Sequence, residues 1–557
     1  MKKFGFNLTI EFDQGEAVNF SWEDHAINKF RADKIFEEDD HYVVLLDGMV
    51  LNKLSLMKKH DSESWRNTVI AMYVKNGDQF FNEMRGSFSG ALFSKKEKKA
   101  IIFSDQIGSK FLYYTKAGNK FFLSSMMDDV YCFRTSNQYK NNLSVENAYL
   151  LLSYGYMIDD RTLSEDIKKV KPGCFLKVER EIIEEKQYFL LDNTPDTTLT
   201  ESDWIERIDE EFKKAVVQQF DKDKEYGYKH LVALSAGLDS RMTCWVAHEL
   251  GYTDQLNFTF SQSDYYDETV PKKLAGDLKH EWIFKALDNG LWLYNLDDIT
   301  RLTGGNVLYY GLSHAYSMYS KMNFDEYGII HSGQLGDVVL GTFYTSKNPN
   351  EKFALGDGAY SKSLLKQIRA IKYTDFKNKE ISNFYFRGFA GANNGNMAEY
   401  AFTEAYSPFY NLDFLNMALS IPVEHRYGHR IYKKWIVEKY PKAADYIWEK
   451  IGCKITRKYG FIIIGKRRIK IEDIPAKLMR ILNPSCEYFR KKDMNPLSYY
   501  ISTNKELSSY IGSFVNYSDL ISDINLKNDV VKLIKSQNGV EKIQAVSLLC
   551  ALKNFYE

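Results

Sequence analysis

The feature that most constrains this chain is a change of texture at residues 229–250. Lys229 to Leu234 is a short apolar, β-branched strand pattern, Ser235-Ala236-Gly237-Leu238-Asp239-Ser240 is a small-residue loop, and Met242, Trp245, Val246 and Leu250 then fall on one face of a helix. A strand feeding a helix through such a loop aims the unpaired N-terminal amides, and the positive end of the helix dipole, at the loop. That arrangement binds anions. Gly237 lets an anion approach the backbone, and Ser235 and Ser240 add hydroxyl donors. Asp239 opposes an anion unless a divalent cation bridges the two, so the loop predicts Mg²⁺-ATP as cofactor. The Gly-Lys-Ser/Thr ending of a Walker A loop is absent, which argues against γ-phosphate transfer.

The texture on either side predicts more than one domain, as does a length of 557 residues. Residues 1–190 read as short alternating strands (Phe4 to Phe12, Tyr42 to Leu46, Ser87 to Phe93, Ala100 to Ser104, Lys110 to Thr115, Lys120 to Ser124, Cys174 to Val178). They are separated by turn signals such as Asp47-Gly48 and Lys171-Pro172-Gly173, with helices expected at Trp65 to Tyr73 and Val145 to Tyr154. After the polar stretch Asp192 to Thr198, long helical patterns alternate with short buried strands at 229–234, Leu256 to Phe260 and Tyr327 to His331. Strand–helix alternation predicts an α/β fold with a doubly wound parallel sheet and ligands at the carboxyl ends of its strands. The second domain is placed at 200–455, with a C-terminal helical extension at 456–557.

Lys plus Arg and Asp plus Glu both total 74, so no global field recruits nucleic acid. The six cysteines are widely spaced, without zinc or redox pairing, and read as thiols of a reducing compartment. No stretch approaches the ~20 apolar residues of a membrane span, and Glu11 and Asp13 interrupt any signal-peptide core. A soluble, cytoplasmic protein is expected; a homodimer is compatible with the sequence but not required by it. Lys454 to Arg480, with Lys466-Arg467-Arg468, is basic and reads first as a solvated face.

The loop at 235–240 resembles the SGGxDS pyrophosphate loop of N-type ATP pyrophosphatases, and further blocks in order resemble the asparagine synthetase family. Asp105 to Tyr114 is similar to RDxxGxxPLYY, and Ser332-Gly333-Gln334-Leu335-Gly336-Asp337 with Gly341 is similar to SGEGxDExxGG. Thr403 to Phe409 is similar to VExRxPF, Lys434-Trp435-Ile436-Val437 to KxxLR, and Trp448-Glu449-Lys450-Ile451-Gly452 to RxKxG. The resemblance covers about residues 85–455. It implies a glutamine amidotransferase-like αββα domain of the Ntn-hydrolase type, followed by an ATP pyrophosphatase domain that adenylates a carboxylate, releases pyrophosphate and passes the acyl group to an amine. It assigns Ser235, Gly237, Asp239 and Ser240 to pyrophosphate and magnesium and Asp337 to the metal. Leu234 and Phe260 go to the adenine, Gly333 to close approach of the nucleotide, and Lys434 to the α-phosphate, with the register between Lys433 and Lys434 open.

Three departures narrow the expectation. Lys2 stands where the family's nucleophilic cysteine would follow the initiator, and the Asn-Gly oxyanion element survives only as Asp47-Gly48, so the first domain is expected to have lost glutaminase activity. Gln334 replaces the family's glutamate, and an amide cannot act as a general base; Glu404 is the proposed base or base orienter and His314 a second candidate. Gly304-Gly305 reads first as loop-turn glycines and second, beside Tyr309, Tyr310 and Tyr316, as a pocket opened for a substrate larger than aspartate. The expected activity is an ATP-dependent amide ligase joining a carboxylate substrate to an amine co-substrate, in a natural-product, modified-peptide or surface-polysaccharide pathway. An ammonia-dependent asparagine synthetase and a non-catalytic nucleotide-binding scaffold are the alternatives.

Overall fold

A computed structural model describes residues 2–457 and 493–557, with 461–464, 467–470, 474 and 478 between them. The first domain stacks two antiparallel sheets. One runs, edge to edge, Glu16–Asp24, Phe6–Asp13, Lys120–Ser124, Tyr113–Ala117 and Lys168–Lys169. The other runs Ile182–Gln187, Cys174–Glu179, Lys99–Ser104, Gly86–Ser94, Tyr42–Val50 and Ile35–Glu38. Alternation along the strands sends Phe6, Leu8, Ile10, Val43, Leu45 and Ile102 into the layer between the sheets. Val44, Leu46, Leu92, Ile101 and Phe103 face the opposite way, under the helix Trp65–Asn76. The helix Met127–Ser136 covers the other sheet at Tyr113–Ala117 and Lys120–Ser124, completing a helix–sheet–sheet–helix stack, and Val145–Tyr154 packs on the C-terminal helix Gly539–Phe555. Asp47-Gly48 is not a turn: both residues lie inside the strand Tyr42–Val50, paired with Ser89 and Phe88. Gly48 takes φ +115° there, and a side chain on it would collide with the neighbouring strand at Phe88.

The second domain is built on five parallel strands in the order Glu281–Ala286, Gln255–Ser261, Lys229–Ala233, Tyr327–His331, Ala405–Tyr406. In chain order this is 3-2-1-4-5, so the winding reverses between Lys229–Ala233 and Tyr327–His331. That switch point opens a crevice at the carboxyl ends of the two strands. The loops 234–240 and 332–337 both leave from it. The 25-residue helix Glu201–Glu225 starts at a Thr200/Asp203 capping box and buries Trp204, Ile208, Phe212 and Val216 against the sheet and the helix Arg430–Lys439.

One continuous apolar core links the domains and the C-terminal helices, of which Gly539–Phe555 is the most buried. Polar ties reinforce it: Asp33, fully buried, pairs with Lys53 at 2.8 Å and with Lys222 at 2.9 Å. Among the described residues no helix is long and apolar enough to cross a membrane. Lys466 of the basic segment lies outside the described residues; Arg467 and Arg468 belong to a two-stranded ladder with Phe461–Ile464.

Glu399 illustrates the electrostatic cost of this burial. Among the described residues its carboxyl is held only by the Tyr319 hydroxyl, at 3.1 Å, and burial pushes its pKa up to about 8. In the unfolded chain it ionises near its ordinary value of 4.5, so between there and pH 8 the folded state holds the extra proton. Glu399 therefore makes stability fall with rising pH across that window, by up to about 1.4 kcal/mol per pH unit. Glu399→Gln is expected to flatten the melting temperature between pH 5.5 and 8 and to raise it most at pH 8. An unchanged slope in thermal melts would contradict this.

Candidate active site at the switch point

The helix Leu238–Glu249 begins at Gly237 with no side-chain cap, so its first amides keep their donors free for a ligand. Around them the loop is preorganised. The Ser235 amide donates to Ser240 Oγ at 3.0 Å, the two serine hydroxyls lie 2.9 Å apart, the Gly237 amide donates to Ser235 Oγ, and the Ala236 amide donates to Asp267 at 2.7 Å. Each hydroxyl can exchange its partner for an anion without moving the backbone.

Asp239 lies in the first turn, its carboxylate accepting from the Tyr432 hydroxyl at 2.7 Å and from the Asp337 amide. Burial and then the nearby Asp337 carboxylate push its pKa well above the ordinary range. Two acids facing one another from separate strand ends form a cost that a divalent cation would remove, and both are oxygen donors of the kind magnesium takes. The residues thus fit the metal the sequence implies. Gly336 and Gly333 make the approach possible: a Cβ on Gly336 would lie 2.7 Å from Asp239 Cγ, and one on Gly333 would lie 2.7 Å from Ser240 Cα. Thr243 Oγ1 donates to the Ser332 carbonyl at 3.1 Å and fastens the two loops.

Arg241, fully buried, donates to the carbonyls of Ala236, Ala443, Tyr446 and Ile447. It thereby docks the 441–448 segment onto the loop and carries Lys450 to 3.6 Å from Asp337. Leu234 is buried at the loop's start, and Phe260 ends the adjacent strand with its ring 4.7 Å from His314. His314 is bonded through Nδ1 to the Tyr310 carbonyl at 2.7 Å, and burial lowers its pKa to about 4, so it is neutral at physiological pH. Gln334 and Asp337 line a cavity of about 470 Å³. Its amide nitrogen donates to the Ala392 carbonyl at 2.5 Å.

Four expectations are corrected. Lys434 does not face the loop: its ammonium is 3.0 Å from Glu201 and 3.7 Å from Glu438, on the exposed side of the helix Arg430–Lys439. Tyr432 occupies the inward side, and at 100° per residue Lys434 lies about 200° away; Lys433, about 100° away, is half-buried. Glu404 is not poised beside a substrate. It is fully buried between Lys34, at 3.0 Å, and Lys110, at 2.9 Å, both of which also grip Asp47. Gly304 and Gly305 do not open the pocket. Gly304 is the left-handed C-cap of the helix Leu296–Thr303, and a Cβ on it would lie 2.5 Å from Met127 Cβ; Gly305 packs on Ala551. Tyr309 is buried in the core, its amide donating to Ser547, while its neighbour Tyr310 lines the cavity.

Comparison with known proteins agrees with the amidotransferase-like character of the first domain. Residues 28–189 match the glutamine amidotransferase domain family. The asparagine synthetase (glutamine-hydrolyzing) 2 of Bacillus subtilis is 23% identical over 344 residues, 56% of this chain and 44% of that protein. A Dictyostelium discoideum protein named "Probable asparagine synthetase (glutamine-hydrolyzing)" is 22% identical over 448 residues, 73% of this chain and 69% of that protein. The chain is asparagine synthetase-like. The amidase chry2 of Gibberella zeae is 28% identical over 108 residues, 19% of this chain and 15% of that protein. The asparagine synthetase-like chain thus spans less than half the length of two of these three relatives.

Reading motifs one by one misses several residues at this site. Tyr432 and Arg241 carry no motif signal. Lys450 lies in a block similar to RxKxG, but only the docking of 441–448 reveals where it points.

Proposed function

We propose that this chain is an ATP-dependent, AMP-forming ligase that activates a substrate carboxylate as its adenylate and transfers the acyl group to an amine. The observation that carries this reading is the pairing of Asp239 and Asp337 across the switch point, beside uncapped helix amides. Magnesium, when bound, would neutralise the phosphates and the leaving pyrophosphate. The chain's own residues do the rest. The amides at 238–240 and the hydroxyls of Ser235 and Ser240 bind phosphate oxygens, and Gly333 and Gly336 let the nucleotide lie on the backbone. Leu234, Phe260 and His314 offer an apolar, neutral wall for the base.

Lys450, rather than Lys434, is the cation within reach of the reacting phosphate. Lys450→Ala is expected to lower pyrophosphate release with Mg²⁺-ATP and an accepted acid by about 10²-fold to 10³-fold, the usual loss for one preorganised donor. Lys434→Ala should stay within about 3-fold, because exposed ion pairs contribute little. The reverse ranking would refute the assignment.

Glutamine is not the nitrogen donor in this reading. Beside Asp47-Gly48 the amidotransferase-like domain holds a cavity of only about 10 Å³, lined by Lys110, Ser89, Phe4 and Tyr400. That is room for about one water. Lys34 and Lys110 occupy the space between the domains, so the amine reaches the adenylate from the open side of the larger cavity.

A further inference from the structure

Resting on the ligase reading, one feature of the larger cavity narrows the acid. Arg387 lines the cavity together with Asp337 and Gln334, and its guanidinium lies over the Phe343 ring at 5.1 Å. Gly358 packs against it so closely that a Cβ there would be 2.8 Å from Cζ. Among the described residues no carboxylate lies within 4 Å of Arg387 and no protein group accepts a hydrogen bond from it. Arg426, by contrast, forks onto Glu380 at 2.6 and 3.1 Å. A half-buried guanidinium held by packing but left without an acceptor presents five donors to whatever enters. A planar anion takes such a fork bidentately.

The remaining walls say what the anion is attached to. Tyr156, Tyr310 and Tyr360 line the same cavity, and Arg387 acts electrostatically on the Tyr156 hydroxyl. Tyrosine faces select flat rings. A cavity of about 470 Å³ is in the range that encloses ring-sized ligands and leaves aspartate loosely held.

We propose that the acid is a ring-bearing dianion larger than aspartate. One carboxylate is directed to Asp337 and the nucleotide, the ring lies among the tyrosines, and the second anionic group pairs with Arg387.

The test uses the full chain with Mg²⁺ present, so that the carboxylates of Asp239 and Asp337 are neutralised, and three probes without nucleotide: 4-carboxycinnamate, its monoanionic relative cinnamate, and aspartate, titrated calorimetrically. The dianion should bind at least about 10-fold more tightly than cinnamate, the scale of one charge-assisted contact, and more tightly than aspartate. Arg387→Met, which keeps the packing on Phe343, should bring the two cinnamates within about 2-fold of each other, while Arg387→Lys keeps part of the preference. Equal binding of the two cinnamates, tighter binding of aspartate, no binding of any probe, or a preference surviving in Arg387→Met each overturns the proposal. Mg²⁺-ATP titrated into the same proteins separates the two readings. Arg387→Met must bind it as wild type does, which also shows that the variant is folded. Wild type failing to bind Mg²⁺-ATP would remove the ligase reading while leaving the carboxylate preference measurable.

Discussion

Asp239→Asn is expected to abolish Mg²⁺-ATP-dependent pyrophosphate release, by at least about 10³-fold, while making the protein without ligands more stable at neutral and alkaline pH. The two effects have one cause. Asp239 is half-buried beside Asp337, so its ionisation is opposed first by desolvation and then by like charge. The unfolded chain ionises the same carboxyl near 3.8. From that value upward the unfolded state releases a proton that the folded state retains. Stability therefore falls as pH rises, until the raised folded pKa is passed. Asparagine keeps an oxygen for the Tyr432 hydroxyl, removes the titration, and removes a metal donor. Thermal melts without nucleotide should show the variant gaining on wild type from pH 5 to pH 8. Magnesium should narrow the gap by stabilising only wild type. Pyrophosphate release that persists in the variant, or melts in which magnesium stabilises both proteins equally, would remove Asp239 from the metal site.

How far the sequence reaches is clearest in this same region. The strand Tyr327–His331 and the helix Val145–Tyr154 are legible to the residue, because their apolar patterns are local and uninterrupted. The loops at 235–240 and 332–337 are legible as loops, because each follows a short apolar strand pattern, Lys229–Ala233 and Tyr327–His331, and is built of small residues. Asp47-Gly48 misleads: the pair has the composition of a turn, yet the neighbouring strand supplies the constraint that makes glycine necessary. Lys434 misleads through helix phase, which depends on Tyr432 reaching Asp239. Arg387 is silent in sequence, since its lack of a carboxylate partner among the described residues becomes visible only in the folded chain.

Glu404 carries the largest expected effect on stability, and the same variant separates a structural role from a catalytic one. Lys34 and Lys110 from the amidotransferase-like domain, Asp47 between them, and Glu404 from the edge of the parallel sheet form a closed quartet of two cations and two anions, with ion-pair distances of 2.9 to 3.1 Å. Burial alone would raise the Asp47 pKa, but Lys110 and Lys34 hold it well below the carboxylate range; burial would lower Lys110, but Asp47 and Glu404 hold it well above the ordinary lysine value. Such a quartet is neutral, and removing any single member leaves a net buried charge. Glu404→Gln leaves an uncompensated buried positive charge at the junction of the domains and should cost about 3–5 kcal/mol. The double variant Lys110→Met/Glu404→Leu restores neutrality with apolar volume and should be more stable than either single change, giving a large favourable coupling in a double-mutant cycle. Domain opening should accompany the loss, read as faster proteolysis around residues 190–200 at a temperature where wild type resists. A catalytic base would behave otherwise: Glu404→Gln would keep the melting temperature and protease resistance of wild type while losing acyl transfer to the amine. That outcome would return Glu404 to the active site and dismiss the quartet as the element that joins the domains.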